Sequence, residues 1–291
     1  MIWIYRRAAS EGANLLAEDI LLKGTRARRT QGRLMLDRIQ AGDTVACWGD
    51  QYPGVVPQGV KTLNNAEVIN KFTEAQRLAA AGVATVQVSR TRPAARARAP
   101  FEEGHCNPYL LPLNRVTARQ AAANLITFAN EQDQRFREWQ RQPAVAETWL
   151  PRRNNHVGGS DLLRAPAAPD YFSKKEDIVE EYRLHIFNGK SIRAGVKRQR
   201  PLTPGGAPSH PWIRSFDAGW IIAYEGFRSS APMRELATKA VKALGLDFGA
   251  VDLGKKADGS YIVLEVNRAP GVEGGTSEAY AGAIIRWAQG E

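Results

Sequence analysis

Two segments near the C-terminal end constrain this chain more than any other part: Phe248–Leu253 and Tyr261–Val266, joined through Asp258-Gly259. An Asp-Gly pair between strand-like runs is the strongest short-range hairpin signal. With Asp258 and Gly259 as the central residues, Asp252 lies directly across from Glu265, the Cβ atoms about 4.5–5.5 Å apart. Asn267, two residues beyond Glu265, points to the same face. Like charges opposed in a sheet are destabilising, so their placement needs a reason. A divalent cation is one, because two carboxylates and an amide oxygen are hard ligands of the kind magnesium takes. A solvent-facing acidic pair is the other. Neither carboxylate is expected in the core, so replacing one should leave the fold intact.

The chain has 291 residues, 43% of them hydrophobic, enough for two or three sub-domains around sizeable cores. Met1–Tyr5 is too short for a signal peptide and no run approaches a membrane span, which points to a cytoplasmic setting. Two cysteines, Cys47 and Cys106, imply no disulfide framework. The net charge is +10, with arginines bunched at Arg26, Arg28, Arg29 and Arg33 and again at Arg90, Arg92, Arg96 and Arg98. Such an excess attracts nucleotide phosphates, nucleic acid or acidic peptide; a solvated basic face explains each cluster equally.

Along the chain, Met1–Tyr5 and Asp43–Trp48 read as strands and Asn14–Leu22 as a helix. The spacing of Ala66, Ile69, Phe72, Ala75 and Ala79 predicts a helix over Asn64–Ala81, followed by a strand at Val83–Val88. Pro93–Pro100 and Pro201–Pro211 read as loops. A capping box at Thr117 and Gln120 starts a helix toward Arg141, and Ala144–Leu150 is strand-like. Glu181–Phe187 and Ser191–Val196 form a hairpin through Asn188-Gly189, and Trp220–Tyr224 is another strand. Pro232 opens a helix whose stripe runs from Met233 to Leu244, with Gly245 as its stop.

Several segments suit a nucleoside triphosphate. Gly158, Gly159 and Ser160 can bring backbone N–H groups close to phosphate oxygens. Lys174, Lys175, Arg183, Lys197 and Arg214 supply cations before the acidic hairpin, though a solvated basic strand edge explains any one of them as well. His185 reads as a hydrogen-bonded structural histidine or a phosphate neighbour, and no cysteine has a partner that would make it a nucleophile.

In this order the segments resemble the ATP-grasp superfamily, in particular the short ATP-grasp proteins encoded by phages. The matching stretches are Glu181–Lys190, Trp212–Trp220, Ala240–Asp252, and Val263–Gly271 with Tyr280-Ala281 beyond. The likeness covers roughly residues 145–290; it extends to the first ninety or so only in architecture. It implies an α/β chain with the ATP-grasp fold: an N-terminal α/β lead domain at 1–90 and two α+β lobes that sandwich the nucleotide. The central lobe, 91–180, would hold the linker, long helix and glycine loop, and the C-terminal lobe, 181–291, the metal-binding hairpin. The resemblance implies ATP and two magnesium ions as cofactors, with Asp252, Glu265 and Asn267 as metal ligands. Lys175 or Lys174 would lie near adenine and phosphates, Glu180 or Glu181 near base or ribose, and Arg214 at the transferred phosphoryl group. Arg268 would hold the acidic substrate. Many members carry a lysine on the strand before the glycine loop; here Arg152-Arg153 occupy that region, and arginine such as Arg153 can clamp phosphate in bidentate fashion, which leaves open whether either residue does so.

The expected function is an ATP- and magnesium-dependent carboxylate–amine ligase working through an acyl phosphate, in a bacterial or phage-infected host cytoplasm. Its partners would be small-molecule or peptide carboxylates and amines, with nucleic acid admitted by the charge and a homodimer by the resemblance. A kinase of a hydroxyl acceptor, or a nucleic-acid-binding protein with a degenerate ATP site, are the alternatives.

Overall fold

The computed structural model describes residues 1–8, 10–31, 35–93, 130–131, 134, 148–154, 168–201, 209–210, 213–273 and 275–291. The chain divides into two units, Met1–Arg92 with Trp149–Glu291, and Pro93–Thr148. The expected Thr117–Arg141 helix and the Pro93–Pro100 loop lie outside the described residues apart from isolated positions, as does most of Pro201–Pro211. Among the described residues no helix is long and apolar enough to cross a membrane.

The first unit opens with four parallel strands, β1 (Ile2–Arg6), β2 (Ala27–Gln31), β3 (Thr44–Cys47) and β4 (Lys61–Leu63), in the order β2-β1-β3-β4. Helix α1 (Glu11–Leu22) begins where Ser10 accepts a hydrogen bond from the Ala13 N–H, and it buries Ala13, Leu16 and Ile20. Strand β2 had no clear sequence signal because it is an edge strand carrying Arg28 and Arg29, the charged kind of edge that resists further pairing.

Helix α2 (Lys71–Ala80) is shorter than the expected Asn64–Ala81. Asn64 is held in the left-handed region at φ 57° and Asn70 caps the helix by accepting from Thr73 N. Asn64 is fully buried: its Oδ1 accepts from the N–H groups of Asp247 and Phe248, and its Nδ2 donates to the Phe248 carbonyl. The strand expected at Val83–Val88 is reduced to β5 (Val88–Ser89), because Ala84 and Thr85 instead bond the backbone of Val263.

Strand β5 forms a three-stranded sheet with β6 (Trp149–Arg152) and β7 (Tyr171–Lys174), in the order β5-β7-β6. The five-stranded antiparallel sheet has the order β10-β9-β8-β11-β12, from β8 (Ile178–Phe187), β9 (Lys190–Gln199), β10 (Trp220–Ala223), β11 (Phe248–Lys256) and β12 (Tyr261–Asn267). Helix α3 (Ala231–Ala243) seals one face of this sheet, burying Met233, Ala237 and Val241 against Leu184, Val251 and Val263. The last helix, α4 (Thr276–Gln289), packs with α1 and brings Tyr280 against Trp48 and Phe248 at ring separations of 5.2 and 5.6 Å.

Asp252 does pair with Glu265, but by a different route from the expected two-residue turn. Lys256 N donates to the Ser260 carbonyl, so the loop holds one residue more, and Leu253 pairs with Val263. A bulge then leaves Leu264 unpaired and restores the Asp252–Glu265 opposition. It lets Val263 enter the core beside Leu253 while Glu265 stays on the opposite face.

Replacing Asn64 with Ala removes three buried hydrogen bonds and its tolerance of positive φ, so a loss of about 3 kcal/mol is expected in urea unfolding. A change under about 1 kcal/mol would show that this junction contributes little.

Candidate active site

The face of the five-stranded sheet away from α3 and the three-stranded sheet border a cleft of about 1010 Å³. Strand alternation sets which side chains enter it. On β8, Glu181 and Arg183 line the cleft, whereas Tyr182 and Leu184 enter the core behind. Arg183 pairs with Gly195 on β9 and with Asp252 on β11, which pairs with Glu265 on β12.

Asp252 is 3% exposed and accepts from Arg183 through both oxygens, at 2.6 and 2.8 Å; Lys197 Nζ lies 3.4 Å from its Oδ2. Burial alone would raise its carboxyl, but the charges of Arg183 and Lys197 hold it well below its ordinary range. The Glu265 side chain, 29% exposed, has Lys71 Nζ at 3.5 Å and accepts a 2.8 Å bond from the Asn267 amide. Lys71 is the largest influence on it and outweighs burial, bringing the carboxyl down to about 2. Lys197 also bonds Glu181 at 2.8 Å. Arg214 lies 3.5 Å from Glu181 and donates to the carbonyls of Ile178 and Val179, while its buried Nε has no partner among the described residues.

Sequence reasoning gave no signal for Lys71 and Glu74 at the start of α2. The Glu74 carboxylate accepts from Val266 N at 2.8 Å, which pins the backbone between Glu265 and Asn267. Burial raises the Glu74 carboxyl although Lys71 opposes it, and the acidic neighbours Glu265 and Glu74 raise Lys71 against the effect of burial. Four anions (Glu74, Glu181, Asp252, Glu265) thus face four cations (Lys71, Arg183, Lys197, Arg214), and the cluster is neutral as built.

Among the other sequence candidates, Lys174 and Lys175 line the cleft. Glu180 projects from the opposite face, accepting from the Tyr182 hydroxyl near Lys255 and Arg198. Arg152 lines the cleft, while Arg153 is exposed beyond the end of β6. Arg268 lies outside the cleft lining and donates to the carbonyls of Asn64, Ala66 and Glu67, clamping the approach to α2. Gly158, Gly159 and Ser160 lie outside the described residues. Arg90 stacks on Phe72 at 3.9 Å and bonds the Asp170 carbonyl, so it has a packing role.

The donor set fits magnesium in kind: two opposed carboxylates and the amide of Asn267, whose nitrogen donates to Glu265, with Glu265 open to the cleft. Because both Asp252 oxygens already accept from Arg183, cation binding there is an exchange of partners. The expectation that Asp252 lies outside the core is therefore corrected: it is a buried ion-pair centre.

No protein-family model and no curated protein matches the chain. Solved structures do match in fold. The ATP-grasp ligase PsnB complexed with a minimal precursor aligns over 98% of both chains at 13% identity, with a TM-score of 0.55. The D-cycloserine synthetase DcsG aligns over 99% of both at 17% identity and 0.53. D-alanine–D-alanine ligase from Bacillus anthracis aligns over 99% of this chain and 97% of its own, at 13% identity and 0.53. The fold is the ATP-grasp fold. Nothing in these matches concerns a phage origin.

Replacing Asp252 with Asn leaves Arg183 without its counter-charge and Lys197 with Glu181 alone, so the variant should lose about 3 kcal/mol in urea unfolding. A depressed carboxyl stabilises the fold above its ordinary range and loses that contribution as it is protonated. For Glu265 the loss runs from its ordinary 4.5 down to about 2. Unfolding measured across that interval should fall less steeply in Glu265→Gln than in the unaltered protein; equal slopes would remove Glu265 as the titrating group.

Proposed function

We propose that this chain is an ATP- and magnesium-dependent ligase that joins a carboxylate to an amine through an acyl phosphate. One observation carries the proposal: the opposed Asp252–Glu265 pair lies in a cleft of an ATP-grasp fold, within reach of the cations Lys71, Arg183 and Lys197. The relatives in fold support it, since PsnB has been solved with precursor, magnesium and ADP, and DcsG and the D-alanine enzyme are named as synthetase and ligase.

In the proposed reaction a carboxylate oxygen attacks the terminal phosphorus of ATP and ADP leaves. The amine then attacks the acyl carbon, phosphate leaves, and the nitrogen gives up a proton as the amide forms. Coulomb repulsion between a carboxylate and a polyphosphate opposes the first step. Lys197 and Arg214 reduce that repulsion from the cleft wall, and Lys174 and Lys175 extend the positive lining from β7 and the residue after it. Asp252, Glu265 and Asn267 would hold magnesium, which would supply positive charge against the polyphosphate. Arg183 would present a guanidinium fork to phosphate oxygens if magnesium replaced it at Asp252. Holding both substrates in one cleft lowers the entropic share of the barrier, worth up to roughly 7–11 kcal/mol.

The acceptor class proposed is a small or peptide carboxylate, following the precursor named in the PsnB complexes. The test is release of ADP and phosphate with magnesium and ATP, across amino acids, peptides and other carboxylates, with the product weighed. An amide product is expected, and a phosphorylated hydroxyl would replace the ligase with a kinase. Glu265→Gln should lower turnover by about 100-fold; unaltered turnover would refute its place at the metal. Arg214→Ala should reduce turnover more than nucleotide affinity.

A further inference from the structure

Three side chains that the scheme above does not use form a connected path from the core to the cleft. Tyr280 of α4 is fully buried, and its hydroxyl oxygen lies 3.3 Å from His185 Nδ1. His185, also fully buried, has its Nε2 3.0 Å from the Tyr224 hydroxyl. Tyr224 is half-buried, follows β10 and lines the cleft. Its ring lies over Gly195, where a Cβ would come within 2.9 Å of it and 2.6 Å of Ile222, so a larger residue there would force these side chains to shift. Gly195 pairs with Arg183, which places Tyr224 one strand from the Arg183–Asp252 ion pair. Arg193 covers the ring at 4.1 Å from its centre.

The path has a direction. Tyr280 is shut away from solvent, and among the described residues the acceptor within reach of its hydroxyl is His185 Nδ1. If Nδ1 carried the proton, the Tyr280 hydrogen would be left buried and unpaired, a costly arrangement. Tyr280 therefore donates to Nδ1. Burial, with Arg183 nearby, lowers His185 to about 3, so the ring is neutral and its proton sits on Nε2. Nε2–H then donates to the Tyr224 oxygen, and the Tyr224 hydrogen is left to point elsewhere. The space open to it is the cleft.

We propose that Tyr224 is a fixed hydrogen-bond donor to a phosphoryl oxygen at the reacting end of the cleft, its direction set by Tyr280 through His185. Tyr224 would touch substrate; His185 and Tyr280 are positioning residues. The proposal rests on the cleft binding nucleotide as described under Proposed function.

Two measurements on the full chain test it. In long-range 1H–15N spectra, with His185 assigned by its loss in His185→Asn, the unaltered protein should show the neutral Nε2–H tautomer at neutral pH. Tyr280→Phe, which withdraws the donor from Nδ1, should convert it to a mixture. An Nδ1–H tautomer in the unaltered protein, or an unchanged tautomer in Tyr280→Phe, overturns the proposal. Separately, inorganic phosphate is titrated in the presence of ADP and magnesium. Tyr224→Phe should bind phosphate about 10-fold more weakly while ADP affinity stays within about twofold. Equal phosphate affinity, or no saturable phosphate binding to the unaltered protein, also overturns it. Failure of the unaltered protein to bind ADP at all would instead refute the nucleotide cleft.

Discussion

The carboxylate of Asp252, buried between Arg183 and Lys197, is the interaction on which the rest of the site depends. A charge withdrawn from water is tolerated only when it is paired and hydrogen-bonded, and here both oxygens accept from one guanidinium. The pairing crosses β8, β9 and β11, so it ties together three central strands and requires Arg183 to face the cleft. Leu184 and Ile186, both buried, do not share that face with Arg183. Strand register and site electrostatics are thus one requirement met twice.

The first ninety residues are more than a preface to this sheet. Asn64 bonds the backbone at the start of β11, and Arg268 holds the carbonyls of Asn64, Ala66 and Glu67 from the far end of β12. Between those anchors α2 brings Lys71 and Glu74 against the Glu265–Asn267 segment. The ionic balance of the cleft is therefore shared by residues far apart in the chain. Truncating the lead segment would remove a cation and a backbone acceptor from the site as well as a layer of packing.

Much of this was legible in local pattern. The apolar stripe after Pro232, the alternation of Glu181–Phe187 and the Asp-Gly turn each report a face and a neighbour within a few residues, and α3, β8 and the β11–β12 hairpin follow. The strand cations Arg183 and Lys197 and the Asp252–Glu265 pair were legible for the same reason. Lys71 was not, because its chemistry comes from a partner almost two hundred residues away and its own surroundings read as an ordinary helix start. The placement of Arg268 was misleading in a related way. Adjacency to Glu265 and Asn267 suggested a shared task, whereas the chain leaves β12 there and the guanidinium turns to nearby carbonyls. Helix α2 was read too long because Asn64 and Asn70 each take a side-chain role that hydrophobic spacing does not show.

The unpaired Leu264 has a consequence for how this hairpin can vary. It separates the outer ladder, from Leu253–Val263 to the tip, from the inner ladder that carries the two acidic groups. A register fault at that point works as an expansion joint: it takes up one residue of β12, so that Val263 reaches the core while Glu265 stays across from Asp252. Drawing on it to absorb a deletion at the tip would set Leu264 against Leu253 and turn Val263 out of the core, so the tip varies only by changes that its own loop can hold.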